Sequence, residues 1–312
     1  MRSLHSPVMC IRFCAVLFLF AGGCCTSLPR LAPKQVAFPS VRAPYESIIE
    51  TSGQLVDKKR NRAVPMHTYS PAGGPGPFPV VIFSHGIGED RDSYAYLGRA
   101  LAHAGFYTIH LTHAGTDKAM LKRGYRALYR ATKEKENWIN RALDVTFVLD
   151  QFAGDAILDL NRVAVVGHSA GAFTAFAAAG MRGPDGESLR DPRVKVIVPM
   201  SMPRIGGNYD AIDIPVLNLT GTCDTSLIYR TFPRHRRIPF ESSHGPHQYL
   251  VTLEGVNHDM FSAPEDPHHA VIAAVTAAFL RAWMANDAAA RAWFDDAGCG
   301  EAMGTRLCVE RK

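Results

Sequence analysis

Residues 162–171 read RVAVVGHSAG, and this stretch decides the fold. Arg162–Gly167 is a short apolar run of the kind that forms a strand covered on both faces of a parallel sheet. Ala170–Met181 follows at once as an alanine-rich helix. Between them, Gly167 to Gly171 fits the G-x-S-x-G pattern of a sharp strand–turn–helix, which holds the central serine, Ser169, in strained backbone angles. The stretch therefore predicts an exposed, reactive serine at the end of a buried strand.

The same alternation of short apolar runs and helical periods extends in both directions from this turn. The segments predicted as strands are 47–50 and 63–69, an antiparallel pair, then 79–84, 107–111, 194–200, 215–220 and 248–253. The segments predicted as helices are 93–104, 134–152 and 270–284. Strands that alternate with helices indicate a mainly parallel sheet flanked by helices in one domain. This order suits the α/β-hydrolase fold.

A serine needs a base to become nucleophilic at neutral pH, and the base needs an orienting acid. In this fold the chain order is serine, acid, histidine, each in a loop after a strand. Asp224 follows the strand 215–220, and His258 follows the strand 248–253. We therefore predict Ser169, Asp224 and His258 as the catalytic triad. The alternatives that remain open are the acids Asp210, Asp213 and Glu254 and the histidines His268 and His269.

An oxyanion hole requires two backbone N–H donors. One is expected from Ala170, the residue after the nucleophile, and the other from the loop after the first core strand, which reads SHGIG over residues 84–88. Ile87 is the predicted second donor, because the glycine before it lets its N–H turn towards a substrate oxygen. His85 is expected to support this loop and to take no part in the chemistry.

The segments RNRAVPMHTYSP (60–71), SHGIG, GHSAGA, TGTCD and GVNHDMFS, in that order, resemble the dienelactone-hydrolase and platelet-activating-factor-acetylhydrolase-like branch of the α/β-hydrolases. The likeness covers residues 46–283. It implies a serine esterase that acts on small or short-acyl esters without a cofactor. Cys223 departs from the pattern, in a place where a polar or acidic residue is expected. Two alternatives to the esterase stay open, a catalytically retired binding protein and an acyltransferase with the same triad.

The N-terminus has the pattern of an export signal. Residues 1–23 combine two arginines, no acid, a nine-residue apolar run and small residues, too short a run to span a bilayer. Cys24 follows directly, as in bacterial lipoprotein signals, in which that cysteine is lipidated; an uncleaved apolar N-terminus is the alternative. We predict a signal over 1–23, a proline-rich tether over 24–44, the hydrolase domain over 45–298 and a tail over 299–312. The expected location is the periplasm or a membrane surface, with tethering through Cys24.

Export implies an oxidising compartment, and Cys299 and Cys308 could then close a short loop as a disulfide, whereas Cys223 stands alone. The net charge of +5 is modest, and no basic stripe interleaves with aromatic residues, so we expect a small-molecule ester as partner and no nucleic acid. His244 and His247 lack the spacing of a zinc site, and no metal is predicted. Arg234–Arg237 is interpreted as a solvated turn. Residues 114–133 and 225–247 have no assigned role, and the oligomeric state stays open.

Overall fold

The predicted serine lies at the end of a strand in one wide β-sheet. The computed structural model describes residues 25–39, 43–183 and 185–312. Within these ranges ten strands lie in one sheet, in the order β1-β2-β4-β3-β5-β6-β7-β8-β10-β9. Their bounds are β1 Ile48–Asp57, β2 Arg62–Pro71, β3 Phe78–Ser84, β4 Tyr107–Leu111, β5 Leu158–His168, β6 Val194–Met200, β7 Val216–Cys223, β8 Gln248–Asn257, β9 Gly298–Ala302 and β10 Thr305–Arg311.

The middle of the sheet is parallel and both of its edges are antiparallel. Strands β4, β3, β5, β6, β7 and β8 pair in parallel, while β2 pairs antiparallel with β4 and β10 pairs antiparallel with β8. Every residue of β3 is buried, as the sequence PVVIFS predicts for a strand covered on both faces. All six parallel strands therefore end at one edge of the sheet, where the loops that follow them can meet.

Helices cover both faces. Their bounds are α1 Ala95–His103, α2 Lys118–Lys122, α3 Tyr125–Ala131, α4 Lys135–Gln151, α5 Ala170–Ala179, α6 Ile238–Ser242, α7 His269–Met284 and α8 Ala288–Asp295, with 3₁₀ turns at Pro233–Arg237 and Asp259–Phe261. Side chains of α1, α7 and α8 pack on one face of the sheet, and those of α4 and α5 pack on the other. The predicted fold class, a mainly parallel sheet flanked by helices in a single α/β-hydrolase domain, is confirmed.

Two segments predicted to lie outside the domain belong to it instead. The tail predicted over 299–312 forms most of β9 and all of β10, because Leu307 and Val309 are buried and pair with β8. Residues 25–39, predicted as part of a tether, lie along the same edge of the domain. There Lys34 N–H donates to Cys299 O, and Cys299 N–H donates to Ala32 O. Phe38 packs edge-on against Trp293 with 4.9 Å between ring centroids.

Cysteines fix both of these segments. Cys299 and Cys308 form the predicted disulfide across the β9–β10 hairpin. Cys223, predicted to stand alone, forms a disulfide with Cys25, over a sequence separation of 198 residues. The spacing of the two cysteines gives no indication of this bond, which the packing of residues 25–39 makes geometrically feasible.

The predicted signal 1–23 and the predicted lipidation site Cys24 lie outside the described residues. In the ranges that the structure does describe, no helix combines the length and apolarity needed to cross a bilayer.

Candidate active site

The turn at Ser169 has the backbone of a strained elbow. Ser169 follows the last residue of β5 and precedes the first residue of α5, with φ 54° and ψ −115°. The glycines on either side leave no room for a side chain. A Cβ at Gly167 would lie 2.3 Å from the carbonyl oxygen of Gly171, and one at Gly171 would lie 1.8 Å from that of Ser84. The glycines of the motif are therefore required by close backbone contact, and the strain falls on the serine.

The structure brings the three residues of the predicted triad together. The Oγ atom of Ser169 lies 3.1 Å from Nε2 of His258, and Nδ1 of His258 lies 2.9 Å from Oδ1 of Asp224. These distances are those of hydrogen bonds, and the order matches the one in which an acid orients a base towards a nucleophile. Ser169 and Asp224 are buried, whereas the His258 side chain keeps a 14% exposed fraction.

The rival acids and histidines lie elsewhere and have partners of their own. Asp213 pairs with Arg190, Glu254 pairs with Arg306, and Asp210 accepts a hydrogen bond from Asn208. His268 contacts Asp266, and His269 contacts the carbonyl oxygen of Met260.

Asp224 is held by four donors. Its Oδ2 accepts hydrogen bonds from the hydroxyls of Ser201 and Thr220, at 2.6 and 2.7 Å. Its Oδ1 accepts from His258 and also lies 2.8 Å from Nη2 of Arg236. Burial alone would raise the pKa of Asp224, but the Arg236 guanidinium and the hydrogen bonds lower that pKa well below its usual value. The carboxylate is therefore charged across the whole neutral range.

Arg236 was predicted to lie in a solvated turn, and that prediction is wrong for this residue. Its guanidinium is fully buried and donates to the carbonyl oxygens of Ser201 and Met202, at 2.6 and 2.8 Å, besides contacting Asp224. The physical reason is the 3₁₀ turn Pro233–Arg237, in which residues three apart share a face. Pro233 and Arg236 both point inwards, while Arg234 between them is exposed. The sequence carries no signal for this burial, which tertiary packing determines.

The loop after β3 lies against the elbow and leaves the N–H group of Ile87 without an acceptor in the described part of the chain. Among the described residues, the backbone N–H groups of Ile87 and Ala170 have no hydrogen-bond partner. Their neighbours in the loop are committed: Gly86 N–H donates to Glu89 Oε2 at 2.8 Å, and Gly88 N–H donates to Thr116 O at 2.8 Å. Two free donors beside the serine fit the predicted oxyanion hole.

His85 is a structural part of that loop, as expected. It is fully buried, and its Nε2 accepts a hydrogen bond from the backbone N–H of His113 at 3.0 Å. Burial lowers the pKa of His85 well below its usual value, so the ring is neutral. The buried guanidinium of Arg141 donates to the His85 carbonyl and to Thr116 Oγ1, the latter at 2.7 Å. These hydrogen bonds fix the position of the loop.

A second series of hydrogen-bonded side chains lies behind the loop, and the sequence analysis did not predict it. Nδ1 of His168 lies 2.7 Å from the Tyr94 hydroxyl, which in turn donates to Glu89. The His168 ring lies 4.6 Å from that of His258, measured between centroids. Burial lowers the pKa of His168 and raises that of Glu89, so His168 is neutral beside the predicted base. The sequence carries no signal for this chain, because Glu89 and Tyr94 have no recognisable spacing relative to His168.

No group of three or more potential metal ligands occurs among the residues that the structure describes. The polar atoms around Ser169 thus comprise a hydroxyl, an imidazole, a charged carboxylate and two backbone N–H groups. This set can activate a hydroxyl nucleophile and stabilise an oxyanion.

Comparison with known proteins gives one family match and two distant relatives. The sequence model of the chlorophyllase family matches residues 46–185, which include β1 to β5 and the elbow. The chain is a member of the α/β-hydrolase superfamily. Two cutinases of Thermobifida fusca, one of them from strain YX, are each 24% identical to this hydrolase over 274 residues, which cover 84% of this chain and 76% of the cutinase. The superfamily predicted from the motifs is confirmed, and the likenesses support a carboxylic-ester hydrolase activity in general.

Proposed function

We propose that this hydrolase is a serine-dependent carboxylic-ester hydrolase that cleaves small or short-acyl esters through an acyl-enzyme intermediate. The observation that carries the proposal is the hydrogen-bonded series Ser169–His258–Asp224 at a strained elbow. A binding protein that had lost its catalytic activity would have no need of three side chains aligned by hydrogen bonds. The proposed reaction uses this chain's own groups and water.

In the first half-reaction, Ser169 Oγ attacks the carbonyl carbon of the ester while His258 Nε2 takes the hydroxyl proton. The negative charge that develops on the carbonyl oxygen is stabilised by the N–H groups of Ile87 and Ala170. The N-terminus of α5 lies directly behind the serine and favours this charge as well. Asp224 holds the His258 ring and stabilises the imidazolium. The C–O bond to the alcohol then breaks, and His258 gives its proton to the departing oxygen.

In the second half-reaction, water takes the place of the alcohol. His258 accepts a proton from the water as its oxygen attacks the acyl carbon, and the same two N–H groups stabilise the second oxyanion. The ester bond to Ser169 breaks, Oγ recovers the proton from His258, and the carboxylic acid leaves.

A preference for short acyl chains follows from the surroundings of the site. The segment after Asp224 forms a tight hairpin, a 3₁₀ turn and the five-residue helix α6. None of these is a long apolar helix that could cover a lipid tail. Acetyl and butyryl esters should therefore be turned over faster than lauryl esters.

The test is a series of p-nitrophenyl esters from acetate to laurate, assayed with the wild type, Ser169→Ala and the matched control Ser188→Ala, which changes an exposed serine. We expect hydrolysis by the wild type that declines with chain length. Ser169→Ala should lose this activity, whereas Ser188→Ala should keep it at the wild-type level. Faster turnover of laurate would contradict the short-acyl preference. Adding an alcohol acceptor distinguishes an acyltransferase, which would form the new ester in preference to the free acid.

We also propose that the chain is exported and lipidated at Cys24. The support is the sequence of residues 1–24, with their short apolar run and small residues before the cysteine. The disulfide between Cys25 and Cys223 agrees with an oxidising compartment. Growth with an alkyne-tagged fatty acid should label the wild type and leave Cys24→Ser unlabelled, and equal labelling of both would refute lipidation at this residue.

A further inference from the structure

An apolar hairpin tip projects beside the proposed active site. Ser226 and Thr231 exchange backbone hydrogen bonds of 2.8 and 2.9 Å and close a hairpin directly after Asp224. At its tip Leu227 has a 71% exposed fraction and Ile228 42%. Tyr229 turns the other way and packs edge-on against Trp138, with 6.1 Å between ring centroids. The hairpin is thus anchored by its tyrosine and presents two aliphatic side chains to solvent.

The helices α2 and α3 combine positive charge with exposed aromatic surface. Residues 118–133 contain six lysines and arginines and no acid. Leu128 and Ala131 bury one face of α3, while Tyr125 and Tyr129, one turn apart, have exposed fractions of 78% and 53%. Arg126 and Arg130 flank these tyrosines, and no carboxylate pairs with either guanidinium in the part of the chain that is described.

Both features border the opening of the site. Leu121 and Leu128 approach the oxyanion loop, since their methyl groups lie 3.4 and 3.3 Å from where a Cβ of Gly88 would stand. The C-terminal end of α3 meets the hairpin through Trp138, whose indole N–H donates to Thr132 O at 3.0 Å and whose ring contacts Tyr229. The hairpin itself follows the triad acid. These segments therefore form one border at the edge of the sheet where the parallel strands end.

We propose that this border, the rim patch of Tyr125, Arg126, Tyr129, Arg130, Leu227 and Ile228, docks on the anionic surface of a lipid bilayer. Exposed tyrosine and aliphatic side chains beside unpaired arginines are the composition that binds at a membrane interface. Residues 225–240 add Arg230 and Arg234, both exposed, and no acid. The charge complementarity is with anionic headgroups, and the apolar tips would enter the boundary of the acyl chains.

The disulfide between Cys25 and Cys223 gives the same orientation independently. Cys223 is the last residue of β7 and directly precedes Asp224, so the bond holds residue 25 at the carboxyl end of that strand. Thr26 N–H donates to Thr222 O at 2.8 Å at the same place. A chain that enters the membrane just before residue 25 would meet it at the edge of the sheet that bears the rim patch. Docking would turn the proposed ester-hydrolase site towards the bilayer, and the inference rests on the proposed function only for that consequence.

Hydroxyl-radical footprinting of the full chain on vesicles tests the docking. The inactive Ser169→Ala variant serves equally well, so the result does not depend on catalysis. The chain is mixed with phosphatidylcholine vesicles or with phosphatidylcholine–phosphatidylglycerol vesicles, and oxidation is measured by mass spectrometry at Tyr125, Tyr129 and Leu227. Ile157, with a 50% exposed fraction at the opposite edge of the sheet, is the internal control. We expect protection of the rim patch on the anionic vesicles alone, loss of protection at high salt, and no change at Ile157.

A pair of charge-matched variants completes the test. Arg126→Gln/Arg130→Gln should lose most of the protection, at roughly fivefold weaker docking for each charge removed. Arg190→Gln/Lys195→Gln removes the same charge from exposed positions at the amino ends of the strands and should keep it. Equal protection on both vesicle types, or none on either, would overturn the proposal. Protection by soluble dextran sulfate without protection by vesicles would assign the rim patch to a polyanion and would overturn the bilayer as its occupant.

Discussion

Arg236 and His258 share one oxygen of Asp224. Nη2 of Arg236 lies 2.8 Å from Oδ1, and Nδ1 of His258 lies 2.9 Å from the same atom, while the two nitrogens are 3.0 Å apart. With His258 Nδ1 protonated towards Asp224, both nitrogens are donors, so they compete for the carboxylate and do not bond to each other. The triad acid therefore serves two cations during turnover, the permanent guanidinium and the transient imidazolium.

Replacement of the acid separates Asp224 from its rivals. Asp224→Asn should keep the native fold at reduced stability, because it leaves the buried Arg236 guanidinium without its carboxylate. It should impair His258, because an amide neither fixes the reactive tautomer nor stabilises the imidazolium. In a serine protease such a change costs on the order of 10⁴-fold in kcat, and a smaller loss is expected with an activated ester. Asp213→Asn and Glu254→Gln, assayed on the same ester with folding checked by circular dichroism, should be nearly unchanged. Near-full activity of Asp224→Asn beside an inactive rival would move the acid elsewhere.

Removal of Arg236 should change both stability and pH response. Arg236→Met leaves a buried carboxylate short of its cation and should lower the free energy of unfolding by about 3–5 kcal/mol at neutral pH. Since the pKa of Asp224 is lowered in the native state, its contribution to stability is present above the ordinary value of about 4 and is lost as the pH falls below it. The difference between wild type and variant should accordingly narrow below about pH 4, as followed by urea unfolding.

The kinetic effect of the same variant distinguishes a positioning residue from a packing residue. Without the guanidinium, the positive charge 3.0 Å from His258 Nδ1 is lost, while the carboxylate of Asp224 remains and favours the imidazolium. The acidic limb of the kcat/KM profile should therefore move to higher pH. Arg236→Lys should restore the wild-type limb in part, and Arg237→Gln, which breaks a surface pair with Glu310, should not move it. A limb that stays in place in Arg236→Met would leave the arginine a purely structural role.

The two disulfides should differ in what they contribute. On the loop-entropy account, the bond between Cys25 and Cys223, with a separation of 198, stabilises by about 5 kcal/mol, and the bond between Cys299 and Cys308, with a separation of 9, by about 2–3 kcal/mol. Alanine pairs at each bond, compared in denaturant, measure this difference. Cys223 adjoins Asp224, so Cys25→Ala/Cys223→Ala should also reduce kcat. Equal stability losses, with both cysteine pairs found alkylatable in the exported wild type, would count against both bonds.

The glycines of the elbow offer a steric test. Gly171→Ala would place a methyl group 1.8 Å from the Ser84 carbonyl oxygen, so β3 and α5 must separate. We expect loss of activity together with a large loss of stability. Gly206→Ala meets nothing within 4 Å and should behave as wild type. A stable, active Gly171→Ala would show that the turn is less tight than described.

The parts of the site predictable from sequence are those fixed by local rules. The elbow follows from a buried strand, two glycines and a helix, and the positions of Asp224 and His258 follow from the strands that precede them. Arg236, Glu89 and Tyr94 could not be predicted in this way, since each reaches the site through tertiary packing with no recurrent spacing. The predictions of a separate tail and of an unpaired Cys223 were wrong for the same reason. The apolar run of β10 is short, and tertiary packing determines both its burial against β8 and the approach of Cys25 to Cys223.

The most direct test of the central claim is covalent labelling of Ser169. A fluorophosphonate probe reacts with a serine only when a base has activated it, and tandem mass spectrometry locates the adduct. We predict a single adduct per chain on Ser169, absent from Ser169→Ala and strongly slowed in His258→Ala. Labelling that persists in Ser169→Ala at the wild-type rate would contradict the assignment of this elbow as the catalytic centre.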